Sequence, residues 1–495
     1  MENIIIAIDQ GTTSSRTLVF SLTGETLFVA QEEFPQLYPK DGWVEHNPED
    51  IWNSTLNTLK LAYEFIKENK YGITGLGITN QRETTILWDK LTGEPIYNAI
   101  VWQDRRTAKI CEEIKLNYSD NELNSKTGLL IDPYFSSTKI SWILDNVKGA
   151  REKAVKGELA FGTIDTFLIW RLTKGKSHYT DATNASRTNL FNIHNQTWDK
   201  DLLKLFKVPV NVLPTVKNSA DNFGYIDFSI LGESIPIFSA IGDQQAAAVG
   251  QNCFVKGDIK STYGTGCFVI LNTGEECVKS KNNLISTICY RLNGKVTYAL
   301  EGSIFIAGAA VQWLRDGIKI IKTASDVEPL CGKHNTNRGV YLVPAFTGLG
   351  APHWDPNARG ALFGITRDTG REDIARAAIE STCYQTYDLI KAMSDDGIAS
   401  NSMRVDGGMV ENQWMVQFLS DILDIPIECP SSKETTALGA AYLVGLQAGI
   451  YKSLDDIKKH IRINRHYSPK MGNEERTKLL NGWVNAVKRV LSNYP

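Results

Sequence analysis

The sequence has no run of about 18 consecutive apolar residues, the length a membrane-spanning helix needs. It has almost no excess of charge of either sign: 53 basic against 56 acidic side chains leave a net charge of -3. That balance excludes the broad basic surface of a general nucleic-acid binder. Its eight cysteines form no Cys-x-x-Cys pair. In a chain of 495 residues such scattered thiols need no disulfide framework and point to a reducing compartment. The seven histidines show no His-x-x-x-His or His/Cys ligand spacing, which removes a structural zinc site and leaves carboxylate-held magnesium open. The opening Met1-Glu-Asn-Ile-Ile-Ile-Ala-Ile-Asp9 lacks a basic start, and its apolar run stops at Asp9, so it does not read as a secretion signal. The expected location is the cytoplasm.

Catalytic signatures are missing as well. There is no Gly-x-x-x-x-Gly-Lys-Ser/Thr phosphate loop, no His-Arg-Asp or Asp-Phe-Gly of protein kinases, and no Gly-x-Gly-x-x-Gly opening a helix after the first strand.

What is present is an ordinary globular composition, 42% apolar and 22% charged, with length for two or three domains. Ile4–Ile8 predicts a buried strand. The Gly/Thr/Ser turn Asp9–Arg16 follows, then a second strand Thr17–Phe20, together a hairpin. A related hairpin recurs at mid-chain, where Asp258–Gly266 leads into Cys267–Leu271, and the pair suggests a duplicated architecture. Strands then alternate with helical patterns: a helix at Glu372–Met393, a strand and turn at Met403–Gly408, a helix around Trp414–Leu423, a strand Ile425–Cys429 and a small-residue helix Thr435–Gly445. This alternation predicts α/β layers. The strand Ile235–Ile241 and its Ala-rich helix end the first half near Gly250, giving expected domains 1–250 and 251–495. Pro344–Gly360 carries too much glycine and proline for either element and reads as a functional or mobile loop.

Several of these turns carry chemistry. Backbone amides and hydroxyls at Gly11, Thr12, Thr13 and Ser14 can wrap a phosphate, with Arg16 adding charge. Asp9 can hold a hydrated magnesium ion. A plain hairpin turn with a surface arginine fits the same residues. The second Gly/Thr turn, Thr262–Gly266, carries the same two readings. Asp243, between a strand and a helix, reads either as a helix N-cap or as a general base at the carboxyl end of a strand. Taken alone, Thr79–Thr84 reads as a solvated turn with a minor ion pair, and Trp102 as a packing aromatic. Asp406-Gly-Gly408 is either a close approach to a nucleotide or a tight turn.

The ordered set of these segments resembles the FGGY carbohydrate kinases, and within them the glycerol-phosphorylating members. The motifs are Asp9-Gln-Gly-Thr-Thr-Ser-Ser-Arg16, Asn80-Gln-Arg-Glu-Thr84, Val101-Trp-Gln-Asp-Arg105, Tyr134-Phe-Ser-Ser-Thr-Lys139 with Trp142, and Gly242-Asp-Gln-Gln-Ala-Ala247. They continue with Tyr263-Gly-Thr-Gly-Cys-Phe268, Gly308–Arg315, Thr347–Pro352, Gly360–Ile365 through Glu380, and Val405-Asp-Gly-Gly408. The resemblance implies two duplicated actin-like ATPase (ribonuclease H-like) domains flanking a catalytic cleft. It implies transfer of the γ-phosphoryl group of ATP, with Mg2+, to a terminal hydroxyl of glycerol. By matching motifs, Arg82, Glu83, Tyr134, Asp243 and Gln244 would hold the glycerol hydroxyls, and Trp102 and Phe268 would pack on its carbons. Thr12, Thr13, Ser14, Arg16, Thr265, Gly308, Gln312, Gly408 and Asn412 would hold the nucleotide. Asp9 and Asp243 would hold the metal, and Asp243 would be the base, with Arg16 sharing the phosphate charge. A homodimer or homotetramer is implied too.

Two departures concern control. Relatives inhibited by fructose 1,6-bisphosphate carry a Gly-Gly-Lys loop shortly before the Gly-Asp-Gln-Gln motif. This chain has the shorter Phe223–Ser234, without lysine, and no histidine between His194 and His334 where phosphorylatable relatives carry one. Neither control is expected to operate. Two alternatives remain at this level: a kinase for another small polyol or sugar, and an actin-like ATP-driven switch without a small-molecule acceptor.

Overall fold

The computed structural model describes residues 2–355 and 357–492. Two sheets organise it. In the first, β1 (Asn3–Gln10) and β2 (Ser14–Ser21) form the expected antiparallel hairpin, and β3 (Thr26–Glu33) extends the meander. On the other side of β1, β4 (Gly72–Asn80) and β5 (Ile237–Gly242) add in parallel, giving the order β3-β2-β1-β4-β5.

The second sheet is built from β6 (Ile259–Tyr263), β7 (Cys267–Gly274), β8 (Ile285–Leu292), β9 (Lys295–Ile304), β10 (Met403–Asp406), β11 (Ile427–Pro430) and β12 (Ile463–Tyr467). Its order is β8-β9-β7-β6-β10-β11-β12. The central five, β9-β7-β6-β10-β11, repeat the first sheet strand for strand: two antiparallel pairs, then two parallel ones. The duplication suggested by two short hairpins is therefore a duplication of whole sheets.

The apolar run in β1 has a direct cause. Ile4, Ile6 and Ile8 point to one face, into a core shared with Ile51, Leu59 and Ile66 of α1 (Pro48–Glu68). Ile5 and Ala7 point to the other, toward Ala440 and Val444. A parallel-sheet strand covered on both faces reads as continuously hydrophobic.

The second face is covered by two helices packed against each other, α2 (Asp243–Gly250) and, much later in the chain, a helix of small residues at Thr435–Gln447. Their backbones approach so closely that a Cβ on Gly250 would lie 1.9 Å from the Thr435 carbonyl oxygen, and one on Gly439 equally close to that of Ala246. The late helix also lies against β1, β4 and β5, with Ser239 Oγ donating to the Ala440 carbonyl at 2.8 Å. The chain thus returns to its first sheet after building the second. Before it in the chain come α3 (Gly308–Gln312), α4 (Arg371–Asp395) and α5 (Gln413–Leu423), and Thr435–Gln447 is α6.

Strand boundaries differ from those expected: β5 begins at Ile237 rather than Ile235. β11 begins at Ile427 rather than Ile425, because Asp424 caps α5 in the left-handed conformation and the Ile425 carbonyl is taken by Ser420 Oγ. The Pro344–Gly360 loop joins a short antiparallel pair, Tyr341–Val343 and Ala361–Phe363; its Pro356 lies outside the described residues.

Candidate active site

Register places the chemistry. Asp9 pairs across with Arg16 on β2 and with Thr79 on β4, and Thr79 in turn faces Ile241 on β5, one residue before Gly242. The carboxyl ends of β1, β4 and β5 therefore deliver Asp9, Arg82-Glu83 and Asp243 to one edge, where open α/β sheets present ligands. In the second sheet Thr262 faces both Phe268 and Asp406. The two edges meet: Trp102 packs edge-on to Tyr134 (centroids 5.7 Å apart) and to Phe268 of the second sheet (6.4 Å).

Asp243 is not the N-cap of α2. Gly242 occupies that position, and Asp243 is the first helical residue, its Oδ1 accepting from the Gln244 amide at 2.7 Å. The same oxygen lies 3.0 Å from Arg82 Nε. Nor is Thr79–Thr84 a solvated turn: all six residues are buried. Burial is tolerable there because the charges are paired. Arg82 donates to Glu301 through Nη1 (2.5 Å) and Nη2 (3.2 Å), and to Gln245 Oε1 at 3.3 Å. Glu83 accepts from Arg187 Nε at 2.5 Å, and Arg187 Nη2 donates to Glu301 at 3.0 Å. Burial alone would raise Glu301, but the charges of Arg187 and Arg82 hold its carboxyl at about 2. Tyr134 is pushed well above the ordinary phenol range, by burial first and then by the Glu83 charge, so it stays a neutral hydroxyl.

The first Gly/Thr turn is tight, with the Gly11 amide donating to the Ser14 carbonyl at 2.9 Å. Trp102 Nε1 donates to Thr12 Oγ1 at 3.1 Å, so this tryptophan both packs and orients the turn. Thr13 is exposed and Ser14 half-buried. Arg16 lies 3.8 Å from Asp9 and is ion-paired with Glu434 of the second half. Burial, and the charge of Asp243 working against that of Arg16, raise the Asp9 carboxyl from an ordinary 3.8 to about 6.

On the other side, the Gly264–Gly266 turn leaves Thr265 exposed and is tied to α3, since the Gly308 amide donates to the Gly264 carbonyl at 3.0 Å. Gln312 at the end of α3 is exposed. Gly407 has φ +94°, and a Cβ there would sit 2.4 Å from the Tyr263 carbonyl oxygen, whereas a Cβ on Gly408 would meet nothing within 4 Å. Asn412 caps α5, its Oδ1 accepting from the Met415 amide at 2.9 Å, which leaves its amide NH2 for other contacts.

Five residues that reasoning from sequence missed join this site: Glu301, Arg187, Gln245, Lys260 and Glu434. Buried Lys260 on β6 donates to Gln244 Oε1 and to Thr262 Oγ1 (3.2 Å), which takes one acceptor site of Gln244 and fixes the direction of its amide nitrogen. A faint signal was available for two of them, because Lys260 beside Ile259 and Glu301 beside Ala299-Leu300 are ionisable residues next to apolar ones in strands.

Among the described residues no group of three or more His, Cys, Asp or Glu side chains converges. Magnesium typically keeps several waters and takes one or two carboxylates plus phosphate oxygens. Asp9, whose ionisation Asp243 opposes, fits that requirement, since a cation there relieves the repulsion.

The N-terminal domain model of the FGGY family of carbohydrate kinases matches residues 4–250, and the C-terminal domain model of that family matches residues 259–448. The glycerol kinase of Rhodospirillum centenum is 57% identical over 491 residues, covering 99% of both chains. Glycerol kinase 1 of Pseudomonas aeruginosa is 57% identical over 492 residues, covering 99% of this chain and all of that one. The crystal structure of Plasmodium falciparum glycerol kinase with ADP superposes with a TM-score of 0.94 at 40% identity, over 99% of this chain and 98% of that one. With both halves matched and the duplicated sheets in place, the chain belongs to the FGGY family of carbohydrate kinases.

Proposed function

We propose that this kinase transfers the γ-phosphoryl group of ATP to a terminal hydroxyl of glycerol, forming sn-glycerol 3-phosphate and ADP. The observation that carries the reading is the meeting of a polar, almost fully paired pocket (Arg82, Glu83, Tyr134, Asp243) with two aromatic walls, Trp102 and Phe268. A triol has three hydroxyls and little apolar area, so selecting it takes directed hydrogen bonds, and such a site rejects analogues lacking a hydroxyl. Arg82 donates only, Glu83 when ionised accepts only, and neutral Tyr134 does both, which suits neighbouring hydroxyls. Trp102 and Phe268 cover the carbons.

Asp243 accepts the proton of the attacking hydroxyl as the new P–O bond forms. Its placement at the first turn of α2 fixes the carboxylate on a rigid element. Thr12, Thr13, Ser14 and Arg16 hold the phosphates from the first half; Thr265, Gly308, Gln312, Gly408 and Asn412 hold the nucleotide from the second. Magnesium, when bound at Asp9 and Asp243, supplies charge neutralisation on the transferring phosphoryl group. Residues 1–250 would then form the acceptor domain and 251–495 the nucleotide domain. Glu434 and Glu301, paired across the halves with Arg16 and Arg82, support a cleft that works as one unit. The eight free cysteines support a cytoplasmic enzyme, and sedimentation equilibrium tests the homodimer or homotetramer.

An acceptor panel tests the substrate. With purified protein and Mg-ATP, kcat/KM for glycerol is expected to exceed that for xylitol, gluconate and xylulose by more than about a hundredfold. A higher value for any of those three would replace glycerol with that acceptor.

A further inference from the structure

Arg82, Glu83, Arg187 and Glu301 are each 3% exposed or less, and they alternate in charge through direct contacts. Three come from the first half of the chain. Glu301 comes from β9 of the second sheet, between Leu300 and Gly302, where nothing in the strand pattern calls for a carboxylate. Burying a charge costs several kcal/mol unless it is well paired, so a glutamate here needs a function that an apolar residue would not serve.

The donor inventory of Arg82 supplies one. A guanidinium has five N–H groups in a rigid fork. Both oxygens of Glu301 take one each from Nη1 and Nη2, Gln245 takes the second on Nη1, and Nε faces Asp243 at 3.0 Å. One N–H on Nη2 remains for a substrate hydroxyl, and its direction is set by the two-point contact with Glu301. The remaining N–H shares the edge of Nε, so the contact with Glu301 fixes the edge that Arg82 presents to Asp243 and to the substrate. Through Arg187, Glu301 likewise orients Glu83.

We infer that Glu301 is the positioning residue of the polyol pocket: it aims Arg82 at a substrate hydroxyl, fixes the edge presented to Asp243, and completes the pocket only when the second sheet is seated against the first. This rests on the kinase reading above and assigns no contact between Glu301 and substrate.

Glu301→Gln keeps the shape and removes the charge. Steady-state kinetics with each substrate varied, and ADP titration by calorimetry, read the outcome. KM for glycerol is expected to rise about tenfold or more and kcat to fall severalfold, with KM for ATP and ADP affinity changed less than about threefold. A folding defect is met with the double variant Glu301→Gln, Arg187→Gln, which removes one charge of each sign. Its glycerol KM is expected to rise at least as much, because Arg82 is still unheld and Glu83 loses its Arg187 partner as well. The inference is overturned if a folded variant keeps a glycerol KM within about twofold of wild type. It is equally overturned if both KM values rise together, or if both variants lose ADP binding, since each marks a structural role. Should the wild-type chain prefer another polyol, the glycerol assignment fails and the same comparison is made with that polyol.

Discussion

At the residue scale, the site's chemistry rests on carboxylates whose environments differ. Asp243 is 31% exposed and touches one guanidinium edge, whereas Asp9 is more covered, at 14%, and its carboxyl sits at about 6. Asp243→Asn removes the proposed base while keeping the shape. It is expected to lower kcat by about a hundredfold to ten-thousandfold with ADP affinity nearly unchanged, read by a coupled ADP assay and calorimetry. For Asp9 the sign runs the other way from a salt-bridged acid. Its folded value is raised, so its neutral form is favoured on folding, and that advantage is complete below about 4 and lost as pH rises through 6. Moving this carboxyl from 3.8 to about 6 costs about 3 kcal/mol at neutral pH. Asp9→Asn is therefore expected to raise the melting temperature of the ligand-free protein at pH 7.5 and to change it little at about pH 4, while abolishing magnesium-dependent turnover. Equal melting shifts at both values would contradict the burial of that charge.

Elements turn those residues into a site, and here the sequence was informative unevenly. The hairpin at Asp9–Arg16, its copy at Thr262–Gly266 and the long helix α4 were legible, because turn glycines and an apolar period of 3.6 are local signals. The burial of Thr79–Thr84 was not. Polar side chains in a row look solvated until partners as distant as Arg187 and Glu301 are brought to them by the fold. Asp243 read equally as a cap or as a base, because strand-to-helix junctions favour Asp, and only backbone angles show that Gly242 holds the cap position. The neighbouring glycines 407 and 408 separate fold from function. Gly407→Ala strains a positive-φ turn and crowds the Tyr263 carbonyl, so it is expected to cost about 2 kcal/mol or more in denaturant unfolding. Gly408→Ala points into open space and is expected to leave stability within about 0.5 kcal/mol, while raising KM for ATP if the nucleotide lies against that turn. Gly439→Ala would wedge α6 off α2 and is expected to lower the melting temperature by several degrees.

For the whole molecule, the duplicated sheets explain why two modest turns make one site. Each sheet presents its hairpin and parallel strand ends at a matching edge, and the two edges are joined by charges that cross between halves. Arg16 meets Glu434, Arg82 meets Glu301, and Lys260 meets Gln244. Which half supplies each partner was invisible in the sequence, since these pairs lie 16 to 418 residues apart. No helix among the described residues is long and apolar enough to cross a membrane. A cleft assembled this way holds its phosphate side through Arg16 and Glu434 and its acceptor side through Arg82 and Glu301, both contacts crossing between the halves. The most direct test is the rate of ADP release from Mg-ATP by the purified wild-type chain, with and without glycerol, alongside the yield of glycerol 3-phosphate. ADP release is predicted to depend on glycerol and to match glycerol 3-phosphate mole for mole; equal release in its absence would contradict a base and pocket built for that acceptor.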